Sequence, residues 1–282
     1  MSGVLHNKGP AWPVEDLQRV LETLLAGLSV EVLAEVDSTN SELMRRIRQG
    51  QHSPVLLVAE RQSAGRGRQG RTWLSHTHAD GQPHPQASLT FSLSLPLNRS
   101  DLSGLSLAVG LALAEALHPD IGLKWPNDLW WEGKKLGGIL IEVANQGPRR
   151  LGVIGVGLNL TQPSASNLRN PAAGLQQLLP GLDAATLLAG TVPSLVRALV
   201  YFEAQGFAPL QTAFCKRDTL RDKMLVCSDG RNGTGAGVDT RGALLLHTAH
   251  GLEAVLSDEV SVRPTPTTAP CPSPSRTHNP PC

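Results

Sequence analysis

Apolar residues recur along this chain with two periods, and the switches between them set out its elements. Val14, Leu17, Leu21, Leu24 and Leu25 fall at i, i+3, i+7, i+10 and i+11, which predicts an amphipathic helix over 14–27. A second helical pattern covers Asp37–Gly50. There Thr39-Asn40-Ser41-Glu42 reads as a capping box, Leu43, Met44 and Ile47 form the apolar face, and Gly50 is the stop. Pro54–Glu60 (PVLLVAE) predicts a short buried strand. Ser88–Leu95 alternates strictly, with Leu89, Phe91, Leu93 and Leu95 on one face, and predicts another strand. Ser103–Leu117 is a long apolar helix ended by His118-Pro119. Strands follow at 121–125 and 136–143, with a candidate third at 129–132 joined to the latter by a Glu132-Gly133 turn. Leu151–Leu160 is a glycine-punctuated strand. A helical pattern then runs from Thr186 to Ala204, where Pro193 should kink or split it.

From Arg221 the texture changes. Short apolar runs at 223–227, 243–247, 252–256 and 260–263 alternate with Gly, Asp and Asn turns, which predicts a small all-β unit, a barrel. From Pro264 the chain is rich in Pro, Ser and Thr and reads as a disordered tail. No internal repeat is present.

Composition narrows the function classes. A chain of 282 residues is long enough for a sizeable core and about two domains. Lys and Arg number 25 against 24 Asp and Glu, a difference of +1. That excludes a chain held to nucleic acid by bulk charge, so a basic function must come from a local cluster. Leu105–Ala114, read as the most apolar stretch, is about half of the ~20 residues a membrane span needs. The N-terminus lacks an apolar signal core, and the four cysteines (Cys215, Cys227, Cys271 and Cys282) form no CxxC pair. The expectation is a reduced cytoplasmic protein with free thiols and no membrane partner.

The local cluster is Gln62–Trp73, QSAGRGRQGRTW. Arg66, Arg68 and Arg71 interleave with Gly65, Gly67 and Gly70, and no acid intervenes. Glycines let a backbone bend and bring its N–H groups close to an anion. Arginines supply planar, bidentate, permanently charged donors for phosphate or carboxylate. Neither a P-loop nor a dinucleotide fingerprint fits. Composition alone leaves open a surface loop, a nucleic-acid contact and a phosphate or nucleotide site. Lys124-Trp125-Pro126-Asn127-Asp128 is a second constellation, in which Trp-Pro forces extended geometry before a turn. In Lys134-Lys135-Leu136-Gly137-Gly138-Ile139-Leu140-Ile141-Glu142 a lysine opens an apolar strand beside two glycines, so a cation stands where a ligand can approach the backbone. Gly155-Val156-Gly157-Leu158-Asn159 repeats the thinning and adds an amide.

In order and spacing, these segments resemble the biotin protein ligases (biotin–[acetyl-CoA-carboxylase] ligases). Asp37-Ser38-Thr39-Asn40 and the later Gly237-Val238-Asp239 and Gly242-Ala243-Leu244-Leu245 match as well, so the resemblance covers residues 31–263. It implies an α/β (α+β) fold: a catalytic domain like class II aminoacyl-tRNA synthetases, with a mixed sheet packed by helices, then a small SH3-like β-barrel. The expected divisions are an extension with one helix (1–30), the catalytic domain (31–218), the SH3-like domain (219–263) and the tail (264–282).

The implied reaction has two steps. Biotin and ATP give biotinyl-5′-AMP and pyrophosphate. A lysine of the biotin carboxyl carrier protein of acetyl-CoA carboxylase then takes the biotinyl group and releases AMP. Both steps build negative charge on phosphate or carbonyl oxygens, which fixed cations and N–H groups stabilise. Mg²⁺ is expected with the triphosphate, held by ATP and water. The resemblance places biotin on Ser38, Thr39, Asn40, Gln62 and Gly65, with Arg66, Gly67 and Arg68 in a loop over biotin and phosphates. Lys135 reaches the biotin carboxylate and is the chief electrophilic stabiliser. Lys124 neutralises the α-phosphate, and Asp128 orients or deprotonates the incoming lysine. Trp73 walls the pocket, and Asn159 lies near the nucleotide.

Thirty-six residues precede Asp37, too few for the winged helix-turn-helix that some family members carry, so no operator binding is expected. His76, His78, His84 and Asp80 in the polar 75–87 segment read as solvated rather than as a metal site. Trp130-Trp131 reads as packing. Arg71 is left between pairing within its loop and touching ligand, and the glycine-rich loop is a candidate for ordering over substrate. The nearest enzyme rival is lipoate or octanoate ligation by the same adenylate logic, and the rival outside enzymes is a nucleic-acid-binding module.

Overall fold

The computed structural model describes residues 12–74, 87–163, 170–256 and 262–264. Helix α1 (Val14–Leu24) leads into strand β1 (Ser29–Val36), and α2 (Thr39–Arg48) into β2 (Val55–Gln62). Then come β3 (Ser88–Pro96), α3 (Leu105–Leu117), β4 (Gly122–Lys124), β5 (Asp128–Trp131), β6 (Lys134–Gln146) and β7 (Arg149–Asn159). Helices α4 (Ala184–Gln205) and α5 (Gln211–Arg217) precede β8 (Met224–Cys227), β9 (Asn232–Val238), β10 (Leu244–Thr248), β11 (Gly251–Val255) and β12 (Val262–Pro264).

Strands β1 to β7 form one mixed sheet in the order β1-β2-β3-β7-β6-β5-β4, parallel only between β1 and β2. Alternation explains its two covers. On β2, Leu56 and Val58 join the core beneath α1, α3 and α4, whereas Val55 and Leu57 pack with Leu43, Met44 and Ile47 of α2. A strand covered on both faces reads as a continuous apolar run, which is why PVLLVAE shows no alternation. Strand β3 is buried on both faces. Its Leu/Phe face meets the helices, but Ser88, Thr90, Ser92 and Ser94 on the opposite face are buried as well. That polar face lies under α2, and it becomes part of the site.

The expected capping box does not form, and the N-cap falls one residue earlier than Thr39. Ser38 caps α2, its Oγ accepting from Ser41 N at 3.5 Å, and Glu42 pairs with Arg45 and Arg46 instead of the helix start. Between β5 and β6, Glu132 and Gly133 take φ of 48° and 75°, the left-handed pair a two-residue hairpin requires. Helix α4 runs unbroken through Pro193. By length and composition it could cross a bilayer, a feature the reading of Leu105–Ala114 passed over. Its Leu187, Leu188, Leu195, Val196, Leu199 and Phe202 are buried in the main core, so here it is a core helix.

The all-β segment is a five-stranded antiparallel sheet ordered β11-β10-β9-β8-β12. It is joined to the larger sheet through buried Trp125, whose Nε1 donates to Gly242 O at 3.0 Å. Cys215 and Cys227 are free thiols, and burial raises the Cys227 pKa. The histidines at 76, 78 and 84, the Pro-rich tail after 264, Cys271 and Cys282 lie outside the described residues.

Candidate active site

A cleft opens on the α2 face of the large sheet, over the middle of β3, β6 and β7. Its floor is thin because β7 carries glycine at 155 and 157. A Cβ on Gly155 would collide with the Asn40 amide, and one on Gly157 would lie 2.5 Å from the Trp73 ring. Sequence alone suggested that these glycines admit a ligand. They line the cleft themselves, and they also admit two of the protein's own side chains, Asn40 and Trp73, which line it with them.

One wall is neutral and buried. Thr39 donates to Gln62 Oε1 through its backbone N–H at 2.8 Å and its hydroxyl at 3.1 Å. Ser92 donates its hydroxyl proton to Asn40 Oδ1 at 2.6 Å and lies 2.7 Å from Thr39 Oγ1. The Asn40 amide nitrogen donates to Glu142 Oε2 at 3.0 Å and Leu140 O at 3.3 Å. Ser38, Thr39 and Asn40 are each no more than 3% exposed. Buried polar groups that satisfy one another hold a single geometry. At the rear, the two Arg45 hydrogen bonds on Asp37 hold that carboxyl below its usual range.

The opposite wall is cationic. Lys135 Nζ donates to Asp128 Oδ1 at 2.6 Å. Lys124 is buried, with Nζ 4.3 Å from the centre of the Trp130 ring, so that tryptophan packs against a cation. Trp125 and Pro126 are joined by a cis peptide. Asn127 ties the turn to β6 by donating from Nδ2 to Ile139 O at 2.7 Å. Asp218, backed against Leu123 beside Lys124, has its carboxyl pKa raised by burial.

The arginine loop roofs the cleft. It closes as a narrow ribbon, with Trp73 N donating to Gly65 O at 2.9 Å and Gly67 N to Arg71 O at 2.7 Å. At its tip Gln69 and Gly70 take φ of 57° and 68°, the left-handed region that glycine tolerates best. Arg66 reaches Glu142 at 3.0 and 3.2 Å, and Arg68 Nη1 lies 3.5 Å from Asn127 Oδ1. Arg71 pairs within the loop, on Gln69, while also edging the cleft.

Nearly every residue expected at the site therefore lines this cleft. Two do not. Gly65 lies beneath Trp73, where a Cβ would come 2.6 Å from Trp73 O. Asn159 is buried beside the cleft, donating to Lys135 O at 3.4 Å and Ala173 O at 3.3 Å, so it fixes the backbone that carries Lys135. Among the described lining residues, Arg66, Arg68, Arg71, Lys124, Lys135 and Arg263 oppose a single carboxylate, Asp128. Sequence reasoning missed Ser92, Glu142 and Arg263. The polar phase of β3 was the available signal for Ser92. Nothing local pointed to Arg263, which β12 brings in from the second sheet.

Residues 32–159, which carry almost the whole cleft, match the biotin/lipoate A/B protein ligase family. The bifunctional ligase/repressor BirA of Escherichia coli is 34% identical over 249 residues, spanning 85% of this chain and 75% of that protein. The chain belongs to the biotin/lipoate A/B protein ligase family. The biotin–[acetyl-CoA-carboxylase] ligase of Paracoccus denitrificans is 29% identical, over 81% of this chain and 98% of its own. Among solved structures, the Aquifex aeolicus biotin protein ligase in complex with biotin and ATP superposes with a TM-score of 0.68 at 28% identity, covering 84% of this chain and 99% of that one. The fold of this ligase, a mixed sheet followed by a second antiparallel sheet, agrees with those structures.

Proposed function

We propose that this cleft activates biotin with ATP as biotinyl-5′-AMP and transfers it to one lysine of a biotin carboxyl carrier protein. The observation that carries this reading is the opposition of a neutral, pre-paired wall to a wall of cations across one cleft. Biotin's ureido ring needs neutral donors and acceptors in an apolar setting, and its carboxylate and the triphosphate need cations. The segments 31–218 and 219–263 serve as the catalytic unit and the small β unit behind it.

In the first step a biotin carboxylate oxygen attacks the α-phosphorus. The bond to the β-phosphate bridging oxygen breaks, and pyrophosphate leaves. Lys135, Lys124 and Arg68 stabilise the charge that gathers on the phosphoryl oxygens. In the second step the carrier's amine attacks the acyl carbon, the acyl–phosphate bond breaks, and AMP leaves with the electron pair. Asp128, beside Lys135, accepts the amine proton. Among the described residues no three His, Cys, Asp or Glu side chains cluster to hold a metal, and Asp128 is engaged by Lys135. Mg²⁺ would enter with the nucleotide as MgATP, its ligands coming largely from the phosphates and water. Ser38, Thr39 and Gln62 face biotin, whereas Asn40, with Oδ1 and Nδ2 both given to protein partners, holds them in place. The reaction belongs in the cytoplasm. The repressor part of the Escherichia coli relative's name stays with that relative.

The test mixes purified protein, MgATP, a carrier domain and either biotin or lipoate, and follows pyrophosphate release and carrier mass. Biotin-dependent release with one modified lysine supports the reading. Lipoate-dependent transfer, or no adenylate with either acid, overturns it.

A further inference from the structure

Glu142 stands outside the cleft lining, yet it fastens the roof to the floor by an ion pair. It lies on β6, paired with Val153 of β7, and its side chain is 22% exposed. One carboxylate oxygen takes Arg66 Nη2 at 3.0 Å, and the other takes Arg66 Nη1 at 3.2 Å and Asn40 Nδ2 at 3.0 Å. Arg66 also reaches Ser41 Oγ at 3.3 Å. The loop that begins at Arg66 closes back on itself by the Arg66–Thr72 bridge. Holding Arg66 therefore holds the whole ribbon.

Paired this way, Arg66 is a fixed point of the loop. Its charge is answered by a carboxylate, and its planar fork sits on that carboxylate with two donors, an arrangement that fixes orientation as well as distance. The same carboxylate sets Asn40, so roof and neutral wall share one anchor. A charge-assisted contact that spans 76 residues of sequence is a device for position.

We propose that Glu142 is a positioning residue that latches the arginine loop over the cleft through Arg66, and so sets how tightly biotin and its adenylate are retained. The inference rests on the ligase reading above. Without the latch the loop opens more often, and a ligand held beneath it leaves faster, while Lys124 and Lys135, carried by the sheet, remain in place.

The test is Glu142→Gln, with Glu142→Asp beside it, compared with the unmodified protein. The expected result is a rise of about tenfold or more in the biotin KM and in the rate at which biotinyl-5′-AMP dissociates, with kcat for pyrophosphate release falling by a clearly smaller factor, since bound substrates draw the loop and its Arg68 closed again. That split between KM and kcat is what removal of a binding-only contact produces. In an Arg66→Gln background, Glu142→Gln should add nothing further, because contacts that act as one unit are not additive. An equal penalty in both backgrounds would mean that Glu142 acts through Asn40 or the fold, and would overturn the proposal. So would unchanged KM and dissociation in both single variants. If both variants misfold, amide exchange in the unmodified, ligand-free protein decides: slow exchange at Gly67 and Trp73 is expected, and exchange at open-chain rates overturns the latch. An unmodified protein that forms no adenylate points to failure of the ligase reading itself.

Discussion

The two walls of the cleft solve opposite problems with opposite materials. The neutral wall is built of short side chains on a helix start and a central strand, nearly all buried, each bonded to the next. The cationic wall is built of long side chains on a loop and on a three-strand meander at the sheet's edge. A short, buried wall whose members fix one another's geometry suits recognition of a neutral ring whose shape never changes. Long cations suit an anion whose charge shifts during reaction, since their donors can follow it. The comparison predicts that damage to the cationic wall lowers turnover and damage to the neutral wall lowers affinity.

The sharpest way to break that division is at Lys135. Removing a donor aimed at developing charge typically costs about 2.7–4 kcal/mol, or about 10²–10³ in rate. Lys135→Ala should fall in that range for pyrophosphate release at saturating biotin and MgATP, and Arg68→Ala with it. Activity within about threefold of the unmodified protein for both would sink the assignment of the cationic wall. Gly155→Ala attacks the other wall. The added methyl would overlap the Asn40 amide that Ser92 and Glu142 hold in place, and crowding a well-packed interior costs about 1–3 kcal/mol. The biotin KM should rise by at least about tenfold while kcat changes less. A loss confined to kcat would show that the two walls are not separate in function.

Much of this arrangement was legible in the residues. The arginine loop, the Lys124–Asp128 turn and the Lys135 strand all lie at the one cleft, because each advertises charge or unusual backbone in a short window. The strict polar phase of β3 was visible too, but its meaning was not. Alternation says that two faces differ, and it does not say that the polar face is also buried. The glycines of β7 were half legible for a similar reason: they line the cleft, but Asn40 and Trp73 approach them as well. A missing side chain signals close approach without saying whether ligand or protein approaches. Least legible were contacts across long separations, such as Glu142 to Arg66 and Trp125 to Gly242, since these depend on sheet order and on no local pattern.

Trp125 tests whether the second sheet supports the cationic wall. Its indole N–H bonds to Gly242 O inside the joint between the sheets. Trp125→Phe keeps most of the packing and leaves that buried carbonyl unpaired, a loss of about 1–3 kcal/mol in stability by denaturant titration. Because Trp125 lies between Lys124 and the Asn127-Asp128 turn, kcat should fall more than the biotin KM rises. An unchanged stability would show that the joint is held by packing alone.

The smallest effect is expected at Asp218, behind the cationic wall. Burial raises its carboxyl pKa, Oδ1 accepts from Leu220 N at 2.9 Å, and Oδ2 has no partner among the described residues. A carboxyl whose pKa is higher folded than unfolded keeps its proton better in the folded state. Its contribution to stability is therefore most favourable below the ordinary carboxylate pKa, and declines as pH rises through the raised value. At neutral pH the charge is a burden the fold carries beside Leu123, next to Lys124 in the chain. Asp218→Asn retains an acceptor for Leu220 and removes that charge. Thermal melts should show the variant gaining stability over the unmodified protein at pH 7, with the gain shrinking as pH falls into the carboxylate range. A gain that persists at low pH would mean that the substitution acts through packing. A loss at pH 7 would mean that the negative charge at Asp218 helps to hold Lys124 in place, and the cationic wall would then extend one layer deeper than its lining.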